Sequence, residues 1–135
     1  VSAKPTTPIP RCVFICSPFS ADNDADRFRN IEYAQEASKD AISRGESPYT
    51  PHLFLTQILK DDDPTERALS LEMAKRWLRR CDGLAVYIDY GVSVGMKGEI
   101  AAATAAHIPI WYRGLHDEYN DDPKDDSTDE NTEDD

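Results

Sequence analysis

The chain has 135 residues, 39% of them hydrophobic and 30% charged, with a formal net charge of −11. That length buries one modest core, and no apolar run approaches the roughly 20 residues of a membrane-spanning helix. Eleven of the 26 acidic residues fall between His116 and Asp135, where Lys124 is the only base, so the remainder is nearly balanced and lacks the basic stripe of a direct nucleic-acid binder.

Val1 to Pro10 holds three prolines and no apolar h-region, so it reads as a flexible arm and not as a signal peptide. Cys12, Cys16 and Cys81 are odd in number and show no C-x-x-C spacing, so reduced thiols in a cytoplasm are expected. Arg11 to Cys16 is short, β-branched and apolar on both faces, as a central parallel strand is. Cys12 and Cys16 share one face of it and are expected to be buried packing residues. A helix follows from about Asp24 to Arg44, with Phe28, Ile31, Ala34, Ala37, Ala41 and Ile42 at helical spacing and Gly45 ending it.

Ser47 to Pro51 reads as a short second strand, and His52 to Leu59 as one or two helical turns. Asp63-Pro64-Thr65-Glu66 is a strong helix start: Asp63 caps, Pro64 suits the first position, and Glu66 sits where a capping-box carboxylate reaches back. The helix runs to about Arg80 and is expected to bury Leu69, Met73 and Trp77. Leu84 to Ile88 is the third strand, Met96 to Ala106 an alanine-rich helix, and Ile108 to Tyr112 the last strand. This alternation predicts a doubly wound α/β domain over 11–115, a parallel sheet of order 2-1-3-4 with helices on both faces. The segment 116–135 is predicted to be a disordered acidic tail, either solubilising or partner-binding.

In such sheets ligands bind beyond the carboxyl ends of the strands. That edge collects Ser17, Phe19 and Ser20 after the first strand, His52 after the second, and the loop from Asp89 through Ser93 to Gly95 after the third. Glu99, expected in the first turn of the last helix, is the foremost candidate. A carboxylate there is favoured in its ionised form by the helix dipole, and an ionised, fixed carboxylate can attack an anomeric carbon or stabilise an oxocarbenium ion. Gly95 and Gly98 leave room for a ligand to approach. Asp82, at the entry to the third strand, reads on spacing alone as a turn or cap residue, and Asp89 as a loop carboxylate better placed for the edge. Arg27 and Arg29 are candidate phosphate partners. Rossmann and Walker glycine patterns are absent, and no histidine, cysteine or carboxylate grouping has metal-ligand spacing, so neither a cofactor nor a metal is expected.

Three segments together resemble the nucleoside 2-deoxyribosyltransferase and deoxynucleoside-monophosphate N-glycosidase superfamily. Val13-Phe14-Ile15-Cys16-Ser17-Pro18-Phe19 is similar to its first strand and loop. Cys81-Asp82-Gly83-Leu84-Ala85-Val86-Tyr87 is similar to its third-strand segment, and Ser93-Val94-Gly95-Met96-Lys97-Gly98-Glu99-Ile100 to its glycine-containing turn and glutamate. The resemblance implies a Rossmann-like or flavodoxin-like fold and cleavage or transfer at the N-glycosidic bond of a nucleoside or nucleoside 5′-monophosphate. It implies Glu99 as nucleophile, Asp82 as its assistant, and substrate contacts from Ser17, Phe19, Ser20, His52, Asp89, Ser93, Gly95 and Met96. It also implies a homodimer or larger homo-oligomer. A non-catalytic nucleotide-binding module, and an interaction protein working through its acidic tail, stand as the alternatives.

Overall fold

The computed structural model describes residues 11–116. The expected N-terminal arm and all of the expected acidic tail after His116 lie outside the described residues. In chain order the elements are β1 (Cys12–Cys16), α1 (Asp24–Ser43), β2 (Ser47–Tyr49), α2 (Pro51–Phe54) with a 3-10 turn at Leu55–Gln57, α3 (Pro64–Leu78), β3 (Gly83–Tyr87), α4 (Val94–Ala105) and β4 (Ile110–Arg113). The four strands are all parallel, in the order β2-β1-β3-β4. This is the expected doubly wound arrangement, with β1 and β3 at its centre. No helix among the described residues is long and apolar enough to cross a membrane.

Alternation along the strands divides the core into two faces. Phe14, Cys16, Leu84 and Val86 meet Ala74 and Leu78 of α3 and Met96 and Ala103 of α4. Val13, Ile15, Ala85, Tyr87 and Trp111 meet Tyr33, Ala37 and Ala41 of α1. Gly83 is required on that second face, because a Cβ there would lie 2.2 Å from the Trp111 ring. Gly45 (φ +85°) ends α1: its own N–H reaches the Ile42 carbonyl, and the Glu46 N–H reaches back to Ala41. This is the left-handed helix stop for which glycine is favoured.

Helix amphipathicity was the least dependable guide. Ala34, Ala37 and Ala41 are buried on α1 as the spacing requires, and Tyr33, outside that pattern, is buried with them, but Phe28 and Ile42 are exposed and Ile31 is only partly covered. The buried stripe is carried by small residues that bring α1 close to the sheet, and it is narrower than the apolar pattern suggested. On α3 the buried residues are Ala74 and Leu78; Leu69 and Trp77 stand half-exposed, and Met73 is only partly covered. Asp63 caps α3 by accepting from the Thr65 and Glu66 amides, but Glu66 does not reach back to it. Its carboxylate accepts instead from the Lys60 amide at 2.6 Å, tying down the preceding loop. Cys12 is exposed, since β1 begins at the sheet's outer end, whereas Cys16 is fully buried.

A buried polar network crosses the α1-side face. Arg113, at the end of β4, is fully buried and donates to both carboxylate oxygens of Glu46, at 2.9 and 2.8 Å, and to the Tyr87 hydroxyl at 3.0 Å. Tyr87 donates in turn to Asp40 on α1, and Arg11 adds a second cation to Glu46 at 2.6 Å. Burial alone would push the Glu46 carboxyl up, but Arg113 and Arg11 outweigh it and hold the group below the ordinary carboxylate range. Removing Arg113 leaves the buried Glu46 with only the part-exposed Arg11 as a cation, and removing Glu46 leaves Arg113 buried without a carboxylate bonded to it through both oxygens. Arg113→Met should therefore lower the unfolding free energy in urea titrations, by less than the roughly 3–5 kcal/mol of a wholly unpaired buried charge because Arg11 stays with Glu46. The double variant Glu46→Leu/Arg113→Met should recover most of that loss.

Candidate functional site

The site forms at the carboxyl edge of the sheet, on the face covered by α3 and α4. Three chain segments converge there, each held by a specific bond. After β1, the backbone carbonyls of Phe19 and Ser20 accept from the side-chain amide of Asn30, a buried polar residue on α1. After β2, Ser38 of α1 donates to the Ala34 carbonyl, so the 2.6 Å contact between Ser38 and Thr50 is a bond from Thr50. Thr50 leads directly into α2 and sets the place of His52. After β3, Ser93 caps α4: its hydroxyl accepts from the Met96 amide, and its own N–H points at the Met96 sulfur 3.4 Å away.

Together these segments and α3 enclose a cavity of about 570 Å³. Ser17, Phe19, Ser20 and His52 line one side of it, and Ser93, Gly95, Met96 and Glu99 another. The His52 ring stacks on Phe19, with centroids 4.9 Å apart and planes 17° from parallel. Its Nε2 lies 3.1 Å from the Ser17 carbonyl oxygen, which can only accept, so the proton sits on Nε2. Burial lowers the His52 pKa to about 4, so the ring is neutral near pH 7 and offers an unprotonated Nδ1.

Glu99 departs from the expectation in position and in charge. Because α4 begins at Val94, Glu99 is its sixth residue, in the second turn, beyond the unpaired amides of the helix end. Burial dominates over any dipole effect and raises its pKa to about 7, against a smaller lowering by the Cys16 thiol. Its Oε1 is buried and has no hydrogen-bond partner, and the same is true of the Ser17 hydroxyl. Both residues line one apolar-walled cavity, and a small side-chain movement would bring these covered atoms to a ligand hydroxyl or amine that could satisfy them.

Other expected site residues lie elsewhere. Asp82 is at the amino end of β3, where its Oδ2 accepts from the Cys12 amide at 2.8 Å and its own N–H reaches the Cys12 carbonyl. The turn entering a parallel strand is at the opposite end from the strand's carboxyl edge, and the chain makes no bend that would bring Asp82 across. Asp89 is at the correct edge but on the α1 side. It accepts from the Tyr33 hydroxyl at 2.6 Å and from the amides of Leu115 and His116, anchoring the chain after β4. Burial would raise its pKa, yet these donors bring it below the ordinary value. Arg27 pairs with Asp24, and Arg29 lies over the Tyr90 ring, so neither reaches the cavity.

Residues of α3 and its lead were not anticipated. Asp61, Arg67, Ser70 and Lys75 all line the cavity, and Arg67 bonds both Asp61 carboxylate oxygens at 2.8 and 2.9 Å. Ser70 and Lys75, with Leu71 and Leu78, could have been found as one helical face opposite the expected one.

A family model described as "Domain of unknown function (DUF7768)" matches residues 11–113. No curated protein matches the sequence. Among solved structures, one described as 2-deoxyribosyltransferase from the psychrotolerant bacterium Bacillus psychrosaccharolyticus is similar in fold, with a TM-score of 0.61 at 14% identity, covering 81% of this chain and 77% of that one.

The raised Glu99 pKa carries a stability consequence. Folded Glu99 holds its proton more tightly than the unfolded residue, so stability falls as pH rises from about 4.5 to about 7. Glu99→Gln keeps the shape of the neutral form and escapes this loss. The variant should be more stable than wild type by roughly 1–3 kcal/mol at pH 8, with the gap closing near pH 4.5. Urea unfolding at both pH values measures it.

Proposed function

The chain belongs to the family described as domain of unknown function DUF7768, and we propose that it binds a nucleoside or nucleoside 5′-monophosphate and cleaves the N-glycosidic bond with Glu99 as nucleophile. The observation that carries this reading is the pair of buried, unpartnered atoms, Glu99 Oε1 and Ser17 Oγ, in one apolar cavity. The shared fold with a 2-deoxyribosyltransferase supports it.

In this reading the Phe19–His52 stack offers a flat surface for the base, and Ser17, Ser20 and Ser93 offer hydroxyls to the sugar or its phosphate. Ionised Glu99 attacks the anomeric carbon. A C–O bond forms to the carboxylate as the C–N bond breaks, and the electron pair leaves with the base, which takes up a proton. Water, or a second base, then releases the sugar and restores the carboxylate. Asp82 has no direct part, because its carboxylate is engaged at the other end of the sheet. The homo-oligomer belongs to the same proposal, and the half-exposed Leu69 and Trp77 on α3 are the apolar surface such an assembly would cover.

A binding-only module is the second reading. It is favoured by the engagement of Asp61 with Arg67, which leaves Glu99 as the cavity's one carboxylate without an ion-pair partner among the described residues. One experiment separates the two: deoxynucleosides, ribonucleosides and their monophosphates are incubated with wild type and with Glu99→Ala, and free base is quantified. Base release by wild type that drops at least about 100-fold in the variant supports catalysis. No release from any substrate, together with thermal stabilisation by one of them, overturns catalysis and leaves binding. Because only ionised Glu99 is nucleophilic, the rate should rise with pH, reach half its plateau near pH 7 and level off above it.

A further inference from the structure

Arg67 stands near the start of α3 and is held through one of its nitrogens only. Its Nη1 donates to both carboxylate oxygens of Asp61, at 2.8 and 2.9 Å. Nε and Nη2, whose N–H bonds point side by side from one edge of the guanidinium, donate to no group among the described residues. Asp61 and Arg67 both line the cavity, and the wall that ends on them begins at His52 and runs through Leu55, Thr56 and Leu59. The flat Phe19–His52 stack and the unspent edge of Arg67 thus belong to one space of about 570 Å³. The charges of Asp61 and Arg67 both reach the His52 ring, in opposite senses.

We propose that Arg67 selects the base: its Nε and Nη2 donate to two adjacent acceptors of a ring stacked on the Phe19–His52 pair, the O6 and N7 of a 6-oxopurine such as guanine or hypoxanthine. This rests on the nucleoside reading given above and names the substrate class for it, and it holds with or without turnover.

The surroundings of Arg67 favour an uncharged partner. Asp61 offsets its charge, and the same carboxylate would repel a phosphate brought to that place. Lys75 also lines the cavity, but it lies eight residues further along α3, roughly 12 Å along the axis, so the two cations do not close on one anion. A guanidinium already held by Asp61 loses less freedom when it meets a ligand. Two parallel N–H donors match O6 and N7 of guanine, as they do when arginine reads guanine in nucleic acids. Adenine places an N6 amine beside N7, so one of the two donors would meet another donor.

The test is equilibrium binding by calorimetry at about pH 5.5, where Glu99 is mostly protonated and turnover is suppressed. Wild type should bind 2′-deoxyguanosine and 2′-deoxyinosine at least about tenfold more tightly than 2′-deoxyadenosine. In 7-deaza-2′-deoxyguanosine a C–H replaces the N7 acceptor, and wild type should bind it more weakly than 2′-deoxyguanosine. Arg67→Met should lose both preferences. Equal affinity of wild type for the oxo- and aminopurines overturns the proposal and leaves nucleoside binding standing. A loss in Arg67→Met that is equal for every nucleoside overturns it as well, and so does one confined to the 5′-monophosphates, which marks a phosphate contact. Binding of none of these compounds removes the nucleoside reading itself, and the proposal with it. Should Arg67→Met not fold, the 7-deaza comparison in wild type decides: an unchanged affinity overturns the proposal.

Discussion

The ion pair between Glu46 and Arg113 is the constraint on which the remainder of this small domain is arranged. Glu46 leads into β2 at one edge of the sheet, and Arg113 closes β4 at the other. Four parallel strands with one helix on the α1 side leave little apolar material to fill that face, and α1 contributes mainly alanines to it. Arg113, Tyr87 and Trp111 occupy the space instead, with the Arg11 guanidinium 4.2 Å above the Trp111 ring. Such a pair adds less to net stability than its short distances suggest, since both charges lose their hydration. Its effect is on arrangement: the lead into β2 and the ends of β3 and β4 must all be in place before the Arg113 charge meets Glu46 and Tyr87, and Tyr87 in turn ties α1 through Asp40.

The cavity is a consequence of that layout. The chain leaves β1 and β3 in opposite lateral directions, so a crevice opens between their following loops. On the α3 and α4 side nothing large fills it, because α4 presents Gly95 and Gly98 where α3 approaches with Leu71, Ala74 and Lys75. The loops that border it are secured from α1, through Asn30 and Ser38, on the far face of the sheet. The site is therefore held by the same helix that the polar network anchors, and its apolar walls are what make an unpartnered carboxyl oxygen costly there.

Glu99 illustrates how position within a helix changes chemistry. One turn earlier it would have met free amides and remained ionised at low pH. In the second turn it meets the sheet face, where desolvation governs and its pKa climbs to about 7. A group poised there can exist in either protonation state near neutrality, which suits a carboxylate that must be both uncharged enough to bury and ionisable enough to react.

The strand sequence, its order and the crevice edge were legible in the sequence, because period-two burial and βαβ alternation are local patterns with one favoured handedness. Ser17, Phe19, His52, Ser93 and Glu99 could be placed at one edge for the same reason. Only the tertiary structure decided which side of that edge each residue occupies, and so separated Asp89 from the cavity while bringing Arg67 and Lys75 into it. It also decided what is buried on the helices: Trp77 and Phe28 are as apolar as their neighbours, yet small residues set the contact with the sheet and left both outside. Apolar spacing reports that a helix has a face, but the rotation of that face and the charge state of a carboxyl group beneath it depend on neighbours distant in the chain, which no local pattern records.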